Sequence, residues 1–141
     1  MVRFFRFEDV PRSTSPDGLR SDRMLISEES VGSKYLRCSL TEVKASRDGK
    51  VQPVTGYHYH TKRELFIIGL SGRTALLVEG KKYIVEPGTV LYVAPGEAHR
   101  TVDVGRYDGT VLEVWHDPPG EETVSVPVPE KAEEAPTGRK P

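Results

Sequence analysis

Short β-prone runs, broken at near-regular intervals by Gly, Pro and Asp, are the feature that most constrains the fold of this chain. Apolar residues do not recur at the three-and-four spacing of an amphipathic helix over any useful window. They alternate with polar neighbours instead, as Leu36, Cys38 and Leu40 do, which makes one face of the strand apolar. The pattern predicts an all-β protein without a substantial helix.

Turn residues set the limits of the predicted strands. The Gly80-Lys81 step between two β runs predicts a hairpin, and Pro-Gly steps mark further corners. Residues 12–22, rich in Ser, Pro, Asp and Gly, are predicted to form a loop. The β-prone run Val2–Phe7 needs a sheet to join, in this chain or a partner's. The remaining predicted strands are Met24–Ile26, Lys34–Val43, Val51–His60, Glu64–Leu70, Arg73–Glu79, Lys82–Glu86, Thr89–Val93, His99–Val104 and Thr110–His116.

Size and charge narrow the classes of partner. The 141 residues suit one domain, and a formal net charge of -1 with mixed acids and bases gives no footprint for nucleic acid or an anionic membrane. No apolar run approaches the length of a membrane helix. The single cysteine, Cys38, is predicted to be a buried structural thiol in a reducing compartment. We expect a cytoplasmic protein whose partner is a small molecule.

Two stretches concentrate the residues that bind metals. Strand alternation sends His58, His60 and, if the strand continues, Glu64 to one face. His99 follows the turn at Pro95-Gly96. Neutral imidazoles suit Zn, Cu, Fe and Ni, and a carboxylate adds affinity for Mn or Fe. The alternative interpretation is an exposed pair of histidines on a sheet edge, with Glu64 a surface acid.

These stretches resemble the paired motifs of the cupin superfamily, G-x5-HxH-x(3,4)-E-x6-G and G-x5-PxG-x2-H-x3-N. His58, His60 and Glu64 match the ligand positions of the first motif, and His99 matches that of the second, over a region of roughly Val51 to Trp115.

The chain departs from these motifs at several points. Gln52 replaces the first glycine, Pro95 and Gly96 are adjacent, and Asp103 stands near the final asparagine. The segment between Glu64 and Gly72 is one residue longer than in the motif, and alignment through Gly72 would put Leu65 in the acidic position. A bulge at Gly69 absorbs the extra residue, so Glu64 is kept as the predicted ligand.

The resemblance implies a double-stranded β-barrel, or jelly roll, holding a divalent transition metal such as Fe, Mn, Ni or Zn near one mouth. It implies first a dioxygenase or decarboxylase acting on a small oxygenated molecule. A sugar or keto-acid isomerase is the second enzymatic option, with His116 as the base. A non-catalytic metal- or ligand-binding module is the alternative from another class.

Further residues near the motifs are candidates for the pocket. Tyr92, Arg100 and Trp115 are expected to line it, or else to serve the core and rim. Lys62 and Arg63 are interpreted either as guides for an anionic substrate or as solvated turn residues.

The predicted organisation has three parts: an N-terminal strand and loop (1–23), the cupin β-barrel domain (24–128) and a disordered tail (129–141). The tail is expected because its charges and prolines leave almost no apolar side chain to bury. Small cupins frequently form dimers, and the N-terminal strand needs a sheet to join. We therefore predict a homodimer in which that strand covers the partner's sheet edge.

Overall fold

The computed structural model describes residues 2–45, 56–102, 107–120 and 122–129. These residues form short strands with two short helical segments, a 3-10 turn at Phe7–Asp9 and an α-helix, α1, at Glu28–Val31. The strands are β1 (Arg12–Thr14), β2 (Arg20–Ile26), β3 (Leu36–Val43), β4 (His58–His60), β5 (Glu64–Gly72), β6 (Thr74–Val78), β7 (Lys81–Val85), β8 (Val90–Val93), β9 (His99–Val102), β10 (Gly109–His116) and β11 (Ser125–Pro127).

The strands make two antiparallel sheets. One has six strands in the order β1-β2-β3-β10-β5-β8, and the other has five in the order β11-β4-β9-β6-β7. Apolar side chains from both sheets meet in one cluster, where Ile67 and Val111 of the first pack with Leu76 and Val85 of the second. The core therefore lies between the sheets, and the predicted all-β jelly roll is confirmed.

The predicted hairpin and the predicted bulge are both present. β6 and β7 pair through a two-residue turn at Glu79 and Gly80, whose φ angles of 50° and 83° match the turn that suits strand twist. Between β5 and β10 the pairing passes from Gly69 to Ser71, so Leu70 is the extra residue. Turn chemistry and an in-strand glycine located these two features correctly.

The N-terminal third differs from its prediction. Residues 12–22 were predicted as loop, but β1 and the start of β2 lie there and extend the six-stranded sheet, so a boundary at residue 23 would cut β2. The reason is that Arg20 and Asp22, which face the interior of the sandwich, are charged, and no apolar alternation marks the strand. Only the turn around Gly18, with φ of 75°, behaves as its composition indicated.

The run Val2–Phe7 is not a strand in the isolated chain. It is irregular up to the 3-10 turn, because no strand among the described residues pairs with it, and Phe4 is 95% exposed. The homodimer that would cover this segment stays a prediction.

Two short elements, a helix and a strand, were not predicted, because their sequences show no repeat of apolar residues. Helix α1 is a single turn, capped by Ser27, whose hydroxyl accepts a hydrogen bond from the Ser30 N–H, and ended by Gly32 at φ 76°. β11 has three residues and pairs with β4. Segments of this length are below what a repeat pattern can reveal.

Some predictions concern residues that the structure does not describe. The start of the strand predicted at Val51–His60, the end of the one at His99–Val104 and nearly all of the tail fall outside the described residues. Within them, Cys38 is 7% exposed in a cluster with Leu25 and Leu40, as predicted. In the part of the chain that the structure covers, no helix has the length and apolarity needed to cross a bilayer.

We predict that Gly69→Ala lowers the free energy of unfolding by about 1–3 kcal/mol, as expected for overpacking. A Cβ at this position would overlap the Glu86 carbonyl oxygen. The strand cannot retreat, because the Gly69 N–H donates to Thr89 O at 2.9 Å and its carbonyl accepts from Gly88. Gly56→Ala is the matched control, since a Cβ there meets no atom within 4 Å. Urea unfolding measures both, and equal midpoints for the two variants would contradict the packing argument.

Candidate metal centre

Three histidines meet on the inner face of the five-stranded sheet. β4 pairs with β9 so that His58 lies directly opposite His99, and His60 follows two residues later on the same face of β4. The ring centroids are 4.8 Å apart for His58 and His60, 4.6 Å for His58 and His99, and 5.3 Å for His60 and His99. One ring nitrogen from each lies within 4.8 Å of the others. We call this group the three-histidine centre.

Hydrogen bonds on the outer side of each ring set its orientation. Nδ1 of His58 donates to Gly56 O at 2.6 Å, and Nδ1 of His99 donates to Glu97 O at 2.9 Å, because a carbonyl can only accept. Nδ1 of His60 is 2.8 Å from the Ser125 hydroxyl. Each Nε2 is therefore directed to the centre, which is the arrangement seen when a partner on one ring nitrogen prepares the other for a metal.

The convergence of these nitrogens is the structural test of whether a cation fits. Nε2 of His58 and Nε2 of His60 are only 3.2 Å apart, and the former carries a lone pair because its proton is on Nδ1. Two nitrogens at this distance need a proton or a cation between them. Three imidazoles suit Zn, Fe, Ni or Cu, so the residues fit a divalent transition metal.

Burial keeps these ligands in the form that binds metal. Desolvation lowers the pKa of His60 to about 4, with a further lowering from the positive charge of Arg63. Desolvation also lowers the pKa of His99. Both imidazoles are consequently neutral at pH 7, with lone pairs available.

Glu64, the predicted fourth ligand, lies outside this centre. Its carboxylate accepts a hydrogen bond from the Tyr92 hydroxyl at 2.8 Å and lies 3.9 Å from His116 Nδ1, on the outer face of the six-stranded sheet. Among the described residues, the close group of possible ligands consists of the three histidines without a carboxylate.

The alternation that predicted Glu64 does not extend through the turn after β4. β4 ends at His60, and β5 begins at Glu64 in the other sheet, so the two-residue period restarts. On β5 it is Leu65 and Ile67 that face the interior. The bulge beyond Gly69 restores the spacing of the motif but lies too far along the strand to turn Glu64 inward.

Of the other four predicted site residues, only Trp115 lines the cavity beside the histidines. On β10 Glu113 and Trp115 point inward, so His116 points outward and is not placed as a base for this centre. Tyr92 is on the outer face with Glu64. Arg100 lies between two cavity-lining residues of β9 and therefore faces the opposite side, where it is 5% exposed.

A cavity of about 180 Å³ opens beside the three-histidine centre. Sequence reasoning missed two of its charged residues, Arg20 on β2 and Glu113 on β10, and left the role of a third, Arg63, open. The sequence feature that could have identified them is a charged residue at an inward-facing position of a strand. The cavity is lined by Arg20, His58, His60, Arg63, Leu65, Ile67, Leu76, His99, Thr101, Glu113 and Trp115.

The charges in the cavity are held by specific partners. Arg20 Nη2 donates to Glu113 at 3.0 Å, Arg20 Nε to Asp22 at 3.3 Å and Arg20 Nη1 to Thr101 at 3.4 Å. The carboxylate of Glu113 is thereby fixed across the cavity from the imidazoles.

A second cavity, of about 330 Å³, adjoins the first and shares Arg20, Glu113 and Trp115 with it. A third hollow of about 480 Å³ lies beside the N-terminal segment and contains none of the histidines. The first two together give a ligand more room than the small cavity alone.

Comparison with known proteins places these features in a family. A family model described as Cupin domain matches residues 49–115. Glucose-6-phosphate isomerase from Pyrococcus horikoshii is 36% identical over 77 residues, which are 50% of this chain and 41% of that protein. The Pyrococcus furiosus glucose-6-phosphate isomerase is 35% identical over the same length. The chain thus spans about two fifths of these curated relatives.

Solved structures share the fold over most of the chain. The polyketide cyclase RemF from Streptomyces resistomycificus has a TM-score of 0.72 at 21% identity and covers 93% of this chain and 88% of its own. A sugar phosphate isomerase from Silicibacter pomeroyi has a TM-score of 0.66 at 19% identity, with coverage of 83% and 77%. A predicted oxalate decarboxylase from Thermotoga maritima has a TM-score of 0.68 at 19% identity, with coverage of 82% and 100%. At these identities the likeness concerns fold alone, and together with the family match it identifies residues 49–115 of this chain as a cupin domain.

Proposed function

We propose that this protein is a metal-dependent enzyme that moves a proton between carbon atoms of a small carbonyl compound, as an isomerase does. The observation that carries the proposal is the position of Glu113, whose carboxylate lines the same small cavity as the three imidazoles. A fixed carboxylate beside a metal centre supplies the proton-transfer group that this chemistry requires.

The three-histidine centre would supply the electrophile. A divalent ion held by His58, His60 and His99 would polarise a substrate carbonyl and make the neighbouring C–H more acidic. Three protein ligands leave a position open, whereas a purely structural site is closed by four. The ligand count therefore favours a catalytic centre over a structural one.

Glu113 would carry the proton. Its carboxylate would accept the proton from the hydroxyl-bearing carbon next to the carbonyl and return it to the carbonyl carbon, while the hydroxyl proton passes to the former carbonyl oxygen, so the substrate is rearranged without net oxidation or reduction. Arg20 holds the carboxylate in place through the 3.0 Å contact. Leu65, Ile67 and Trp115 form an apolar wall that limits the access of water to the reacting atoms.

The comparisons support this class without fixing a substrate. The matched Pyrococcus relatives are glucose-6-phosphate isomerases, and one structural neighbour is a sugar phosphate isomerase. The dioxygenase chemistry expected from the motifs does not require a proton-transfer carboxylate such as Glu113, whereas a decarboxylase needs a proton donor for its new C–H bond. We therefore rank proton transfer above dioxygenase chemistry.

We predict that His58→Ala, His60→Ala and His99→Ala each bind metal at least about 10-fold more weakly, because each removes a ligand and exposes the others to solvent. Glu64→Ala is the matched control and should retain wild-type stoichiometry, since its carboxylate faces the outer surface. Metal content after dialysis against Mn(II) or Zn(II), measured by plasma mass spectrometry, gives the result. Loss of metal from Glu64→Ala with retention in His60→Ala would contradict the site.

A second prediction concerns catalysis. Glu113→Gln keeps the size of the side chain and should keep the metal, but it removes the proton acceptor. We expect exchange of substrate C–H for deuterium to fall by about 10²–10⁴-fold, the usual contribution of such a group. Proton NMR in D₂O with a panel of aldoses, ketoses, their phosphates and keto acids measures this exchange. Oxygen uptake by wild type without deuterium exchange, or full exchange by Glu113→Gln, would refute the assignment.

A further inference from the structure

We infer that Arg63 is the binding residue for an oxyanion group of the substrate, a carboxylate or a phosphate, in the cavity beside the three-histidine centre. The inference deepens the proposed function, because it identifies the ligand's chemical class at the same site. It stands on the hydrogen-bond geometry of the two arginines that line the cavity.

The two arginines differ in how many of their guanidinium nitrogens already donate to protein acceptors. All three nitrogens of the Arg20 guanidinium already donate, to Asp22, Thr101 and Glu113. Arg63 uses one edge, with Nε donating to Asp117 Oδ1 at 2.7 Å and Nη2 to Oδ2 at 3.0 Å. Within the described residues its Nη1 donates to no protein acceptor, so Arg63 can bind a further anion.

The position of Arg63 is fixed rather than solvated. Its guanidinium lies 5.2 Å from the centre of the Trp115 ring, and its side chain is 23% exposed. A stacked, paired guanidinium loses little conformational freedom on binding, and its planar donors match the two oxygens of a carboxylate or phosphate. The ammonium group of Lys62 in the same turn does not have these planar donors.

The charge balance of the cavity favours an anion. The lining has two guanidinium groups, Arg20 and Arg63, and one carboxylate, Glu113. Asp117, which pairs with Arg63, is not among the lining residues. Asp22, which pairs with Arg20, lines the adjoining cavity instead. Counted over the lining residues alone, the wall carries one net positive charge; a divalent ion would raise it, and a small cavity with such a wall concentrates anions.

The test uses the metal-free full-length chain, in which the metal cannot hold the anion. Trp115 is the only tryptophan of the protein and lies under Arg63, so its fluorescence and its indole NMR signal report on this position. Acetate, inorganic phosphate and neutral glycerol are titrated at constant ionic strength. We expect a saturable change with acetate or phosphate, and the stronger of the two identifies the anion class.

The variants make the result specific to Arg63. Arg63→Gln should weaken anion binding at least about 10-fold, whereas Lys62→Gln, with the same loss of charge in the same turn, should leave it unchanged. Asp117→Asn keeps Arg63 but removes the competing negative charge and one of its two acceptor oxygens, and it should bind the anion more tightly even if Arg63→Gln is poorly folded. Equal binding in wild type, Arg63→Gln and Asp117→Asn, an equal response to glycerol, or no saturable response in wild type would overturn the inference.

Failure here is distinguishable from failure of the proposed function. The anion titration needs neither metal nor turnover, and metal retention and deuterium exchange do not depend on the acetate or phosphate signal. A negative titration with normal exchange removes only the role of Arg63.

Discussion

The candidate site depends on the antiparallel pairing of β4 with β9. Residues directly opposite each other in such a pair have Cβ atoms about 4.5–5.5 Å apart, which brings the rings of His58 and His99 into contact. β4 has three residues, so it needs support on both sides. β11 pairs along one edge, and the Gly96 N–H donates to His60 O at 2.8 Å. Strand and turn together give the imidazoles a rigid base.

A polar network in the opposite sheet faces this group. Arg20, Asp22 and Glu113 come from β2 and β10, and Thr41 Oγ1 donates to Asp22 at 2.7 Å. Buried ion pairs of this kind contribute little net stability, because the cost of desolvation offsets their attraction, and apolar residues often serve a core equally well. Their presence next to the three-histidine centre is better explained by the need for charge inside the cavity.

Sequence alone predicted the part of the site that a single strand determines. His58 and His60 share a face because the two-residue period is strict within β4, and His99 was found from the turn at Pro95-Gly96. The all-β class and the β6–β7 hairpin followed from alternation and turn chemistry. These are local properties, and local rules were sufficient for them.

Features that depend on the relation between strands were not predictable in this way. Glu64 was assigned inward because the period was carried across a turn that leads into the other sheet. On β10, His116 was predicted as the base, but Glu113 and Trp115 are the residues of that strand that line the cavity. Arg20 was not predicted as a site residue, because a strand whose inward-facing residues are charged has the polar sequence that is typical of a loop. The facing sheet, not the local pattern, decides which side chains share the cavity.

Crystallography of the metal-loaded protein at the absorption edge of the bound ion tests the central claim most directly. The account predicts one anomalous peak about 2.0–2.2 Å from Nε2 of His58, His60 and His99, the distance expected for metal–imidazole bonds, with Glu64 unbound. A peak coordinated by Glu64 and His116 on the outer face, or metal-loaded crystals with no peak at the three imidazoles, would contradict it.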